Sequence, residues 1–276
     1  MKNIVIPVDF SEHSRTAAKT GAYLARKTYA RVHLLHVVYG PENWNQLTVE
    51  NQQKHPEVEA RIVEAGMKLE KLAQDAMFSG LNVVTQVKTG IPHERIVSFA
   101  LATNADLIIM GAHGVGDSDP IYIGSTTQRV IRAASYPVLS VKTKFDPASV
   151  KRILFASDFE ENVSDAIDFV TELAVALNTG IDFAFVNTPA HFVDTETIEA
   201  RMRKAHPTKP GVMINHFVYN HHEKDRGIVE AAKKRDAGVI AMITHDRKRK
   251  PPYSFGITES VLFLADAGVI SVIVKK

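Results

Sequence analysis

The sequence predicts an α/β protein built from two tandem doubly wound domains, each with a five-stranded parallel sheet. Three observations carry that prediction. First, the chain contains itself twice. Ile4-Val5-Ile6-Pro7-Val8-Asp9-Phe10 is echoed by Ile153-Leu154-Phe155-Ala156-Ser157-Asp158-Phe159, Leu107-Ile108-Ile109-Met110 by Val239-Ile240-Ala241-Met242, and Val138-Leu139-Ser140-Val141 by Val269-Ile270-Ser271-Val272. Second, these echoes keep their order, which indicates a duplicated domain and not a solenoid of short repeats. Third, each half alternates short, nearly all-apolar runs with longer segments of helical spacing. That pattern fits parallel strands covered on both faces, and right-handed crossovers then limit the topology to a doubly wound sheet.

In the first half, strands are expected near 2–8, 31–38, 82–88, 106–111 and 137–142. Helices are expected near 12–28, 57–79, 93–103 and 125–134. Residues 12–28 place Ala17, Ala18, Gly21, Ala22, Leu24 and Ala25 on one face, with Ser11 as N-cap. Residues 57–79 carry Val58, Ile62, Ala65, Leu69, Leu72 and Ala76 at helical spacing. The second half gives strands near 151–157, 180–187, 212–219, 238–243 and 269–274, with helices between them. The join is expected near Lys142–Lys151, where Asp146-Pro147 is a turn signal. The domains are therefore read as 1–145 and 148–276.

Residues 111–125 read Gly-Ala-His-Gly-Val-Gly-Asp-Ser-Asp-Pro-Ile-Tyr-Ile-Gly-Ser, directly after a buried-strand run. Glycines let a ligand come close to the main chain. A loop of this kind at the carboxyl end of a parallel strand can present N–H groups to phosphate oxygens. Gly124-Ser125-Thr126 then opens a helix, whose N-terminus adds free N–H groups and a positive dipole end. Read alone, the motif also suits a glycine-rich turn with no ligand. Asp9, at the end of the first strand, belongs at the same sheet edge, where doubly wound sheets bind ligands.

Composition narrows the class. The 276 residues carry a formal net charge of +2, so no strong global field favours nucleic acid or an anionic membrane. There is no cysteine, which removes disulfides, thiolate zinc sites and cysteine nucleophiles. The apolar run before Asp9 is too short for a signal-peptide core, and no stretch approaches the ~20 apolar residues of a membrane span. The expectation is a soluble cytoplasmic protein.

These residues together resemble the universal stress protein family, in a tandem two-domain form. The resemblance rests on Ile6-Pro7-Val8-Asp9-Phe10-Ser11, Leu35-His36-Val37, Val87-x2-Gly90-x-Pro92, Gly111-x2-Gly114-x9-Gly124-Ser125 and Pro137-Val138-Leu139-Ser140-Val141. It implies a five-stranded nucleotide-binding fold that often holds ATP or another adenine nucleotide such as AMP or ADP. It also implies regulatory action under stress and pairing of domains through the last strand, which in a tandem chain can form an internal pseudo-dimer. Carried over, Asp9 lies at the ribose or the polar edge of the base, Val8 and Val37 line the adenine slot, and Met110 and Gly111 flank base and sugar. Gly114, Gly124, Ser125 and Thr126 approach the phosphates. His113 lies in the loop, either on phosphate or sugar or as a solvated histidine. Asp117 and Asp119 are either solvated acids or holders of Mg²⁺ through bound waters.

The second half departs from this pattern. Ile243 stands in place of the first glycine, Asp246 of the second and Ile257 of the serine, while Asp158 and Gly256 remain. A Cβ restricts close backbone approach, and Asp246 repels phosphate. Nucleotide is therefore expected in the first half only. Other constellations carry less. Arg247-Lys248-Arg249-Lys250 is a solvated loop or an anion patch, without the aromatic interleaving that nucleic-acid binding needs. His206, His216, His221 and His222 lack a recognised metal-ligand spacing, so no metal site is assigned. His33 and His36, on different strand faces, read as packing or cap residues. Trp44 reads as a cover for the pocket mouth or a partner surface. Phosphate-loop and hydrolase-elbow motifs are absent, and no acid, base or nucleophile stands out. The leading reading is a nucleotide-binding regulator. A slow ATPase or phosphotransferase at the same site and a nucleotide-independent partner-binding scaffold are the alternatives.

Overall fold

The computed structural model describes residues 1–42, 44–112, 124–160, 163–208, 211–244 and 256–273. By packing, the chain divides into two compact units, Met1 to Val138 and Leu139 onward. The α/β class read from the sequence is borne out in both.

The first unit runs β1 (Asn3–Pro7), α1 (Glu12–Thr28), β2 (Arg31–Val38), a 3₁₀ turn at Trp44–Gln46, α2 (Val49–Gln53), α3 (Pro56–Ala73) and a 3₁₀ turn at Ala76–Phe78. It continues through β3 (Val83–Thr89), α4 (Pro92–Ala102), β4 (Leu107–Gly111) and α5 (Ser125–Ala133) to β5 (Val138–Val141), which begins at the boundary. The strands lie in the order β3-β2-β1-β4. All are parallel, with Ile4 opposite Val32 on one side and Leu107 on the other. The amide of Ile108 donates to the Pro137 carbonyl at 2.9 Å, leading the chain into β5. Because β1 is followed by β2 and β3 on one side and by β4 on the other, a switch point lies between the carboxyl ends of β1 and β4. That is where a parallel sheet opens a crevice.

Local chemistry explains the helices. Ser11 caps α1 by accepting from the Ser14 amide at 3.1 Å, and Glu12 and Arg26/Lys27 complement the helix dipole at opposite ends. Proline occupies the first turns of α3 and α4, where its missing N–H costs nothing. The helix expected over 57–79 stops at Ala73. Asp75 takes the Met77 amide at 3.0 Å and the Arg15 guanidinium at 2.7 Å, which turns the chain into a separate 3₁₀ segment. The short α2 was not expected from the spacing. Trp44 does not cover the pocket mouth. It is 6% exposed and packs with Val38, Val58 and Ala65.

The second unit has a 3₁₀ turn at Pro147–Ser149 that begins on Asp146, then β6 (Arg152–Ala156), α6 (Ser164–Leu177), β7 (Gly180–Asn187), α7 (Thr195–Lys204) and β8 (Ile214–Asn220). It closes with α8 (Lys224–Lys234), β9 (Val239–Thr244), α9 (Ile257–Leu264) and β10 (Gly268–Ile273). Its strand order, β10-β9-β6-β7-β8, is parallel throughout. Ile153 lies opposite Ile181 and Val239, the register of Ile4 in the first unit. In that shared frame His33 corresponds to Asp182. His33 bonds Asn3 of the central strand (3.2 Å), and Asp182 bonds Arg152 of its own central strand (2.9 Å).

Asp182 is fully buried and also accepts from Arg235 (2.6 Å) and Asn215 (2.9 Å). Burial alone raises its carboxyl pKa, but the bonds from Arg235, Asn215 and Arg152 outweigh this and hold it below the usual carboxylate range. A depressed folded-state value makes this contribution complete above the ordinary carboxylate pKa and removes it as pH falls through the lower folded value. Asp182→Ala leaves two guanidinium groups without their acceptor. A loss of about 3 kcal/mol is expected, the low end for a buried pair because both arginines keep solvent contact. Urea unfolding checks this, and an unchanged curve at neutral pH would refute it.

Candidate functional site

At the switch point lies a cleft of about 580 Å³. Val8 and Asp9 enter it from the end of β1, Val37 from β2, Met110 and Gly111 from β4, and Gly124, Ser125 and Thr126 from the start of α5. The structure thus brings eight of the residues singled out in the sequence to one crevice. His113 and Gly114, with Asp117 and Asp119, lie outside the described residues. So does the basic run 247–250.

The β1–α1 turn is set by a short relay. Asp9 Oδ1 accepts from the Ser11 amide at 3.0 Å and the Ser11 hydroxyl at 2.6 Å, and Ser11 Oγ in turn accepts from Ser14. Between them Phe10 adopts a left-handed backbone, φ 66°, which is uncommon for a bulky residue. Its ring stacks on His36 at 4.8 Å, with Lys68 on the ring at 5.4 Å.

Gly111 has a packing reason to be glycine. A Cβ there would stand 2.7 Å from the carbonyl carbon and Cβ of His13, in the first turn of α1. Thr127 locks the other side, its buried hydroxyl donating to the Gly111 carbonyl at 2.9 Å. Among the described residues no side chain caps the start of α5 at Gly124; the Gly124 amide donates to the Ala112 carbonyl at 2.9 Å, and the next amides of the first turn face the cleft's end beside the Ser125 and Thr126 hydroxyls.

Sequence reasoning missed Ser14, His36, Tyr39, Pro92, Ile96 and Thr127 as cleft residues. Pro92 and Ile96 are spaced four apart on α4, and Thr127 follows the Gly-Ser-Thr helix start, so spacing held a signal for these three. His36 was read as a packing or cap residue. Its Nδ1 lies 2.6 Å from the Val8 carbonyl. A carbonyl only accepts, so Nδ1 carries the proton and Nε2 of the neutral ring is an acceptor. Burial pushes the His36 pKa below its ordinary value; the Val8 carbonyl and Asp9 oppose this without reversing it, and Lys68 adds to it.

The corresponding edge of the second unit is chemically different. The Gly256 amide at the start of α9 donates to Glu259 Oε2 at 2.7 Å, and Glu259 is fully buried. Glu259 stands where the first unit has Thr127. Phe159 repeats the left-handed turn of Phe10, with φ 54°.

A parallel α/β unit with a switch-point cleft under an uncapped helix start is the class of protein these features define. A family model described as the universal stress protein family matches residues 1–142, and the chain belongs to that family. Universal stress protein MJ0577 of Methanocaldococcus jannaschii is 33% identical over 159 residues, 52% of this chain and 96% of that protein. A universal stress protein of Thermus aquaticus is 30% identical over 145 residues, 51% of this chain and 98% of the relative. A crystal structure of a universal stress protein from Archaeoglobus fulgidus aligns over 98% of both chains with a TM-score of 0.75 at 17% identity, a likeness of fold. The two curated relatives each match about half of the chain, as expected of a tandem member. No helix among the described residues is long and apolar enough to cross a membrane.

Two outcomes test this geometry. In an NMR pH titration the His36 ring should titrate below 6.5, the ordinary histidine value; a midpoint at or above it would mean the ring is not held neutral. Gly111→Ala should cost about 1–3 kcal/mol by overpacking, since the His13 backbone cannot yield as a flexible side chain can. Calorimetry reads this as a lowered Tm, and an unshifted Tm would show that α1 is free to move away.

Proposed function

We propose that this protein binds an adenine nucleotide in the cleft of its first unit and acts as a nucleotide-responsive regulator in the stress response. The observation that carries the reading is the convergence of Asp9, apolar Val8, Val37 and Met110, and the uncapped start of α5 on one crevice. Its volume falls within the roughly 300–1,000 Å³ of small-molecule pockets. The chemistry divides as a nucleotide does. Val8, Val37 and Met110 suit the flat base. Asp9 suits ribose hydroxyls, and because a carboxylate accepts about four hydrogen bonds, the orienting bonds from Ser11 are compatible with that role. Ser125, Thr126 and the α5 amides suit phosphate oxygens. His113 and Gly114 extend the phosphate side in sequence, and a divalent cation such as Mg²⁺ would accompany a triphosphate.

In this reading the second domain, taken from the sequence as residues 148–276, binds no nucleotide in the same mode. Glu259 supports that: its buried carboxylate, bonded to the Gly256 amide, puts a negative charge at the helix start that a phosphate would approach. An internal carboxylate both satisfies the donor and repels an incoming anion.

Native mass spectrometry of the full chain titrated with ATP and Mg²⁺ should show one nucleotide per chain. Asp9→Asn should weaken binding about tenfold, or roughly 1.4 kcal/mol, while the matching Asp158→Asn should leave it unchanged. Two nucleotides per chain, or an effect confined to Asp158→Asn, would overturn the assignment to the first unit. No binding at millimolar ATP would leave the partner-binding scaffold as the better account.

A further inference from the structure

We infer that Tyr39 stacks on the base of the nucleotide proposed for the first unit, its ring closing the mouth of the cleft over the outer face of that base. The role rests on nucleotide binding in that cleft and adds to it the residue that selects for an aromatic base.

The placement follows from the alternation of β2. Successive side chains of a strand point to opposite faces, so Leu35, Val37 and the next residue in step, Tyr39, share one side. All three line the cleft. The row runs from closed to open. Leu35 is fully buried, Val37 is half-buried, and Tyr39, just past the end of the strand, is 70% exposed. Val38, in the other phase, turns away into the cluster with Trp44 and Val58. The chain thus sets apolar side chains along the depth of the slot and one large aromatic ring at its lip.

The backbone that carries this ring is fixed, while the ring is not. The Val38 carbonyl accepts from the Gly90 amide at 3.1 Å, and Gly40 lies so close to α3 that a Cβ there would stand 3.2 Å from the Val58 methyl groups. The Tyr39 hydroxyl has no hydrogen-bond partner among the described residues. Its ring also borders a hollow of about 230 Å³ beside Phe10 and Arg61, so it has open space on the side away from the cleft. A ring placed this way gains by meeting a base, because stacking takes apolar surface of both partners out of water and aligns their π systems.

The second unit lacks the ring. In the register shared by the two sheets, Ile4 with Val32 and Ile153 with Ile181, the position of Tyr39 is Thr188. Thr188 is buried, and its carbonyl closes a turn on the His191 amide at 3.1 Å. The aromatic lip belongs to the unit with the cleft and is missing from the one whose helix start holds Glu259.

Calorimetric titration of the full chain with ATP and Mg²⁺ tests this, together with NMR of its tyrosine rings. The chain has seven tyrosines, and the Tyr39 signal is the one missing from Tyr39→Phe. Tyr39→Ala should weaken ATP about tenfold, the worth of one base–aromatic stack. Tyr39→Phe should keep the wild-type affinity, since the ring and not the hydroxyl makes the contact. Without ligand, both variants should keep the thermal midpoint, because the side chain is largely in water. On saturation with ATP the Tyr39 ring signals should move upfield under the ring current of the base. Equal ATP affinity in wild type and Tyr39→Ala, an affinity lost as fully in Tyr39→Phe, or a Tyr39 signal unmoved by ATP would each overturn the stacking role and leave the nucleotide site standing. A wild-type chain that binds no ATP would overturn both.

Discussion

The first turn of α1 lies against the end of β4 so closely that a Cβ on residue 111 would press on the His13 backbone. Most of the cleft depends on this approach. It brings Ser14 and the capped start of α1 alongside Met110, and lets Thr127 bond the Gly111 carbonyl from the other side. Ser11 then serves twice, capping α1 and orienting Asp9. Helix position and carboxylate position are therefore one constraint.

The second unit keeps the scaffold and changes the chemistry. Its strands repeat the order and register of the first, and its β6–α6 turn repeats the left-handed phenylalanine. What differs lies at the helix start, where Glu259 supplies from within the charge that an anion would bring from outside. Lower in the sheet, Asp182 with Arg152, Arg235 and Asn215 replaces the modest His33–Asn3 contact. Duplication left the backbone frame alone and let buried polar groups diverge inside it.

Much of this was legible in the residues because periodicity and repetition are strong signals. The expected ranges 12–28, 31–38 and 180–187 coincide with α1, β2 and β7, where the strands are mostly apolar and Ser11 caps the helix. The helix expected over 57–79 was overextended because Asp75 ends it through bonds to Met77 and to the distant Arg15, of which only the first is local. The cleft residues reached by spacing were those at strand ends and the helix start. His36 escaped because its partner, the Val8 carbonyl, is a neighbour only once β1 and β2 pair. Glu259 was within reach, since Gly256-x2-Glu259 has the spacing of a capping box. Trp44 was misplaced because its burial depends on β2 and α3 meeting.

The left-handed turn at Phe10 has a thermodynamic corollary. A strained backbone persists only where its surroundings over-determine it. Here those surroundings are the Ser11 relay and the stack on His36. Because Phe159 repeats the conformation beside a helix start already occupied by Glu259, the strain belongs to the fold and not to a ligand. The β1–α1 turn is thus preorganised. A ligand entering this cleft would meet a turn that the chain's own contacts already hold, and would not have to impose it.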